Sequence, residues 1–167
     1  MDLQTNSLFN GVTSKQVDEF VAACNEFEFS AGTEVITRGQ HGKFMFFLVA
    51  GELSVRLPER PGKTELALLR PPAVFGEMEM LTGRPRTANV IATTKVKLLG
   101  IPIKTFRQRL NDGDSATLKI MENIGRVLAH RVEAMTEKIL ELETVVPEER
   151  CIELQQFREQ LFSDWSS

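Results

Sequence analysis

Between residues 26 and 101 the apolar side chains of this chain recur at every second position, in short runs broken by glycine or proline. From residue 102 onward they recur at every third or fourth. Such a switch of period restricts the chain to a block of short strands followed by helices. "EFEFSAGTEVI" alternates and breaks at Ala31-Gly32, which reads as two strands joined by a turn. "RGQHG" at 38–42 is a glycine-bounded turn before the strand run Phe44–Ala50. Leu53, Val55 and Leu57 alternate with Glu52, Ser54 and Arg56; "PERPGK" is an exposed loop, and "TELALL", "RTANVIATT" and "KVKLLGI" are further strands. About eight short strands with turns at close intervals predict an antiparallel sandwich or barrel of the jelly-roll type.

The flanks read as helices. Val17, Phe20, Val21 and Cys24 form one apolar stripe, and Thr13 with Gln16 has the form of a capping box. "IPIKTFRQRL" is a short helix with Pro102 in its first turn, and Asp114 or Ser115 caps a long helix running to about Glu143. Leu118, Met121, Gly125, Leu128, Val132, Met135, Ile139 and Leu142 are spaced alternately by three and four, as the seam of a coiled coil is. Lys138 and Glu143 take g and e positions there, while apolar Ile124 and Ala129 at earlier g and e positions point to packing on the β block. A homodimer through residues 115–143 follows as an expectation. Pro147 ends the helix, and residues 148–167 read as one short final helix. The predicted fold is mainly β with flanking helices (α+β): an eight-stranded antiparallel jelly-roll β-barrel, an N-terminal helix and C-terminal helices including a long dimerisation helix. The predicted divisions are a binding body at 1–111, the long helix at 112–146 and a helical extension at 147–167.

Composition narrows function by exclusion. A net charge of −3 argues against general nucleic-acid binding. Cys24 and Cys151 lack CxxC spacing, so idle thiols in a reducing compartment are expected. With only His41 and His130, a metal-dependent cupin enzyme and any bound metal are not expected. No GxSxG nucleophile motif is present, so no hydrolase and no enzyme is predicted. "MDLQTNSLFNG" has no signal-peptide pattern, and the longest apolar run, "FMFFLVA", is too short to span a bilayer. A cytoplasmic protein without membrane contact is expected, and Met1 with the "SDWSS" end reads as a complete unit. Only 20 residues follow Pro147, too few for a helix-turn-helix module, so direct DNA binding is not expected.

The stretch "FGEMEMLTGRPRTANVIA", residues 75–92, carries charges that no solvated face explains. Gly76 lets the backbone pass close to a ligand and adopt positive φ. "EMEML" is one helical turn closed by Gly83, offering unpaired amides and a positive dipole end to an anion. Arg86, stiffened by Pro85, grips a phosphate through its fork, and the Thr87 hydroxyl and Ala88 amide add donors. Glu77 has the wrong charge for phosphate but accepts a sugar hydroxyl well. Together these groups suit a phosphorylated ribose.

Phe75, Gly76, Glu77, Met78, Met80, Leu81, Gly83, Pro85, Arg86, Ala88 and Val90 together resemble the phosphate-binding cassette of the cyclic nucleotide-binding domain family. The likeness extends through "AGTEVITRGQHG", "FFLVAGELSV" and "LALLRPPAVFGE", over residues from about 8 to 143. One departure is Lys43, where many members carry Asp; that position is read as shaping a turn rather than the pocket. The resemblance implies that Glu77 accepts from the ribose 2′-hydroxyl beside Gly76, and that Arg86 holds the cyclic phosphate with Thr87 and the Ala88 amide. It implies too that helices after the barrel move on binding and that the long helix closes over the base. Arg86→Ala is then expected to weaken binding at least tenfold while leaving the fold intact, since a charge-assisted contact contributes about 1.5–3 kcal/mol.

Thr87 leaves the base open, because one neutral hydrogen bond nets only about 0.5–1.5 kcal/mol. The ligand is cAMP or cGMP, with cAMP favoured. Arg126, Val127, His130 and Arg131 on the long helix are the candidate base-contacting residues, and Trp165 is a candidate aromatic lid. The reading is a cyclic-nucleotide sensor with an unidentified downstream protein partner. The rival is a ligand-independent dimeric scaffold in which Glu77 and Arg86 merely pair.

Overall fold

The computed structural model describes residues 6–57 and 65–143, side chains 141–143 excepted. The predicted "PERPGK" loop and the final helix lie outside the described residues. The chain runs through a 3-10 turn (Ser7–Phe9), α1 (Ser14–Val21), β1 (Asn25–Phe29), β2 (Glu34–Ile36), β3 (Phe44–Ala50), β4 (Leu53–Arg56), β5 (Glu65–Leu69) and β6 (Ala73–Phe75). It continues through α2 (Glu77–Thr82), β7 (Asn89–Ala92), β8 (Val96–Pro102), α3 (Ile103–Asn111) and α4 (Ser115–Glu143).

The strands make two four-stranded antiparallel sheets, ordered β1-β8-β3-β6 and β2-β7-β4-β5. Among the described residues no strand pairing joins the two sheets, so the predicted single barrel is two sheets sharing a core. "EFEFSAGTEVI" does form two strands, but they are not partners: β1 pairs with β8 and β2 with β7. The turn at Ala31-Gly32 carries the chain from one sheet to the other. Its amide donates to Ala92 of β7, from Gly32 at 2.7 Å. β6 has only three residues, all buried, and its alternation is too short to stand out in the sequence.

Two apolar layers explain the texture of the strands. Phe46 and Leu48 of β3 join Leu53, Phe75, Val90, Ala92, Val96 and Leu98 in a core drawn from both sheets. Met45 and Phe47 alternate with them, and the Phe47 ring lies 5.7 Å from Phe9 and 5.7 Å from Phe20. Phe106 of α3 completes this second layer, its ring edge-on to Phe20 at 6.2 Å. With both faces covered, β3 has no solvated positions, and its sequence is therefore the unbroken run "FMFFLVA".

The capping box at α1 is present: the Gln16 amide donates to Thr13 Oγ1, and the Thr13 amide to Gln16 Oε1 at 3.0 Å. Pro102 stands just before the first helical residue of α3, one position earlier than predicted. Asp114 caps α4, its Oδ1 accepting the Thr117 amide at 2.7 Å. The chain divides into two compact units, one up to Ile124 and one from Gly125. In the first unit α4 buries Ala116, Thr117, Ile120, Asn123 and Ile124, with Asn123 Nδ2 donating to the Leu8 and Asn10 carbonyls at 3.1 and 2.9 Å. In the second unit Val132, Met135 and Leu140 are exposed, as is Ala129.

Candidate functional site

β6 delivers the chain to Gly76, whose φ of +78° places it in the left-handed region. Glycine reaches that conformation without steric cost, which lets the strand turn directly into α2. Gly76 brings no capping side chain, so the first-turn amides of α2 receive no side-chain cap. At the far end Gly83, with φ +71°, closes the helix by donating to the Glu79 carbonyl at 2.8 Å. Arg107 of α3 donates to the same end, Nε to the Met80 carbonyl at 3.0 Å and Nη2 to the Glu79 carbonyl at 3.3 Å. A cation on the last carbonyls satisfies them and complements the helix dipole.

Arg86 is the centre of the arrangement, and only 7% of it is exposed. Each guanidinium nitrogen meets a protein acceptor. Nε pairs with Glu79 Oε2 at 3.0 Å, Nη1 donates to the Gly76 carbonyl at 2.9 Å, and Nη2 to the Phe44 carbonyl. A Cβ at Gly42 or Gly76 would overlap the guanidinium, so both glycines are there to let two main chains lie against it. Burial pulls the arginine's pKa below its usual value, and the Glu79 and Glu77 carboxylates oppose that pull. The Arg86 main chain is also fixed, its amide donating to Gln40 at 2.9 Å and its carbonyl accepting from Gly39 at 2.8 Å.

Glu79 is equally buried. Both its oxygens lie 2.9 Å from the Gly42 amide, and Oε1 is 3.1 Å from His41 Nδ1. The turn at 38–42, read from the sequence only as a glycine-bounded turn, thus belongs to the arginine's surroundings. Lys43 itself is exposed, and its carbonyl accepts from Ile103 at 2.9 Å.

The other predicted residues divide into groups. Glu77 is buried in the first turn of α2, 4% exposed, beside Arg86. Phe75 and Val90 belong to the core between the sheets, Phe75 stacked on Phe46 at 5.2 Å. Met78 is half exposed, Thr87 is exposed with Oγ1 3.9 Å from Met78 Sδ, and Ala88 is half-buried. These six positions and Gly76 lie in the first unit with Arg86. Arg126 and His130 are exposed residues of the second unit, where His130 Nδ1 stands 3.7 Å from Glu133. Trp165 lies outside the described residues.

Glu79, Gly42 and Arg107 were missed by sequence reasoning. In the scaffold reading Arg86 pairs with Glu77; the 3.0 Å ion pair is with Glu79, and the Glu77 charge acts on Arg86 beside it. A signal for Glu79 was present: a second acid two residues after the first, in a turn otherwise apolar.

Residues 26–112 match the cyclic nucleotide-binding domain, and the chain belongs to that family. It is 34% identical over 137 residues to glutaminase 2 of Bradyrhizobium diazoefficiens, covering 82% of this chain and 21% of that enzyme. The chain thus spans about a fifth of the glutaminase. Among solved structures, the catabolite activator protein of Thermus thermophilus shares the fold with a TM-score of 0.69 at 23% identity, over 84% of this chain and 63% of that one. The regulatory domain of Toxoplasma gondii PKA with cAMP matches at 26% identity and a TM-score of 0.56, over 64% of this chain and 41% of that one. Among the described residues no His, Cys, Asp and Glu group could hold a metal, and no helix is long and apolar enough to cross a membrane.

Proposed function

We propose that this chain is a cytoplasmic cyclic-nucleotide sensor that takes cAMP in preference to cGMP. The observation carrying this reading is Arg86, a buried guanidinium held at all three nitrogens beside a second buried acid, Glu77. Such a pair suits a ribose carrying a cyclic phosphate: the arginine takes phosphate oxygens, with Thr87 and the Ala88 amide assisting, and Glu77 takes the 2′-hydroxyl. The cAMP carried by the Toxoplasma gondii regulatory domain supports the choice of base. Residues 1–111 form the binding body, wound as a jelly roll; the strand order of the two sheets supports that winding.

The helix at 112–146 carries the signal, shifting on binding and supplying Arg126 or His130 to the base, and residues 147–167 extend it. The chain is a homodimer through residues 115–143. The exposed Leu118, Val132 and Met135 of that seam support it, at 49%, 46% and 65% accessible. A downstream protein, rather than DNA, receives the output.

Thermal unfolding with cAMP and cGMP titrated in parallel tests the reading. A ligand at a hundred times its Kd adds about 2.7 kcal/mol of stability, several degrees in Tm for a domain of this size. A rise with cAMP at micromolar concentration is expected. No rise with either nucleotide would leave a dimeric scaffold whose buried acids and arginine serve the fold alone.

A further inference from the structure

We propose that Glu79 is the positioning residue of the site: it holds Arg86 and the 38–42 turn in one arrangement and biases the pocket toward a singly charged phosphodiester. The proposal rests on the cyclic-nucleotide reading above. Glu79 joins α2 to two other chain segments, meeting Arg86 Nε at 3.0 Å on one, and the Gly42 amide at 2.9 Å and His41 Nδ1 at 3.1 Å on the other. It is anchored from behind as well, since its carbonyl accepts from Gly83 and Arg107.

A buried carboxylate on a binding arginine has two opposite uses. It is either a stand-in that the ligand phosphate must expel, or a brace that aims the guanidinium. The geometry points to the brace. Glu79 engages Nε, whereas Nη1 and Nη2 are held by the Gly76 and Phe44 carbonyls. A guanidinium has five N–H donors, so each terminal nitrogen keeps a second one for a phosphate oxygen. The ligand therefore approaches the terminal nitrogens with Glu79 still bonded to Nε.

Charge supplies the second half of the proposal. Glu77 and Glu79 are both buried beside a single Arg86. A cyclic phosphodiester adds one negative charge to that group, while a 5′-monophosphate adds nearly two. In a water-poor site the extra charge is strongly disfavoured. Glu79 thus serves discrimination between cAMP and its ring-opened product AMP, as well as placement.

Calorimetric titration of cAMP and AMP into the wild type and Glu79→Gln decides it. Glutamine keeps the size of the side chain and removes its charge. The variant is expected to bind cAMP about tenfold more weakly and to lose about tenfold of its preference for cAMP over AMP. In an Arg86→Lys background the same change is expected to add little further loss, because Glu79 acts through Arg86. A purely structural residue would leave the cAMP/AMP ratio unmoved. An unchanged ratio, or tighter cAMP binding by Glu79→Gln, overturns the proposal and leaves the sensor reading standing. A wild type that binds neither nucleotide overturns both. Should the variant not fold, NMR on the wild type still decides. The Arg86 Nε–H resonance, assigned by its loss in Arg86→Lys, is expected to stay slowly exchanging at cAMP saturation. Its release on saturation would make Glu79 a stand-in and refute the brace.

Discussion

Helices α2 and α4 follow opposite rules. α2 has six residues, buries Glu77, Glu79 and Met80, and leaves Met78 and Leu81 nearly half exposed. α4 has 29 residues, and it buries an ordinary apolar face up to Ile124 before exposing Val132, Met135 and Leu140. A single turn is not stable by itself in water. α2 exists because Gly76 and Gly83 shape its ends, Arg107 satisfies its last carbonyls, and Arg86 and Gly42 donate to its inward acid. α4 needs little of that help at first, having a cap, length and a periodic face. The difference teaches where each helix departs from an ordinary amphipathic pattern: the short one on its buried polar side, the long one on its exposed apolar side.

The contrast breaks most sharply at Arg86. Replacing it with alanine leaves the buried Glu79 without its ion-pair partner, and losing one partner of a buried pair costs about 3–5 kcal/mol. Urea unfolding of Arg86→Ala should read that loss, together with a fall of at least tenfold in cAMP affinity. The expectation from sequence, an intact fold with impaired binding, did not include this second cost. Stability within about 0.5 kcal/mol of wild type would show that the Glu79 pair contributes nothing.

On the long helix the decisive change is Val132→Glu with Met135→Glu. Charges on the seam should turn a dimer into a monomer in sedimentation while the melting temperature of the β body stays nearly the same. A wild type that already sediments as a monomer ends the coiled-coil proposal. The smallest effect belongs to the start of α4. Asp114→Ala removes the cap and should cost about 1 kcal/mol. Hydrogen bonds from the Thr117 hydroxyl and amide, then the Arg109 charge, hold the Asp114 carboxyl below its ordinary pKa, against a desolvation cost. A depressed carboxyl stabilises the fold fully above its unfolded value, and that stability is lost as pH falls through the folded one. The gap between wild type and Asp114→Ala should therefore be full at pH 7 and shrink below about pH 4.

Legibility followed the same division. Features set by a few neighbouring residues were readable: the Thr13–Gln16 box, the start of α4 and the turn closed by Gly83. Features set by distant partners were not. Nothing within "EFEFSAGTEVI" says that its two strands belong to different sheets, because their partners lie at Val96–Gly100 and Val90–Ile91. The carbonyl of Phe44 and the amide of Gly42 are main-chain groups, so no residue type announces them as companions of Arg86. Glu79 has a side chain to read, yet the acid two residues earlier drew the assignment.

The pairing of β1 with β8 sets a schedule for the molecule's birth. Asn25 lies opposite Gly100, so the first strand is made 75 residues before its partner. At about 5–20 residues per second, translation leaves that strand waiting roughly 4–15 s. Closing so long a loop is slow, and the sheet forms late. Arg86 and its cage lie inside the loop and are synthesised before it shuts. The sheet that holds β3, whose Phe44 carbonyl receives Arg86, therefore stays unfinished on the ribosome until β8 has emerged.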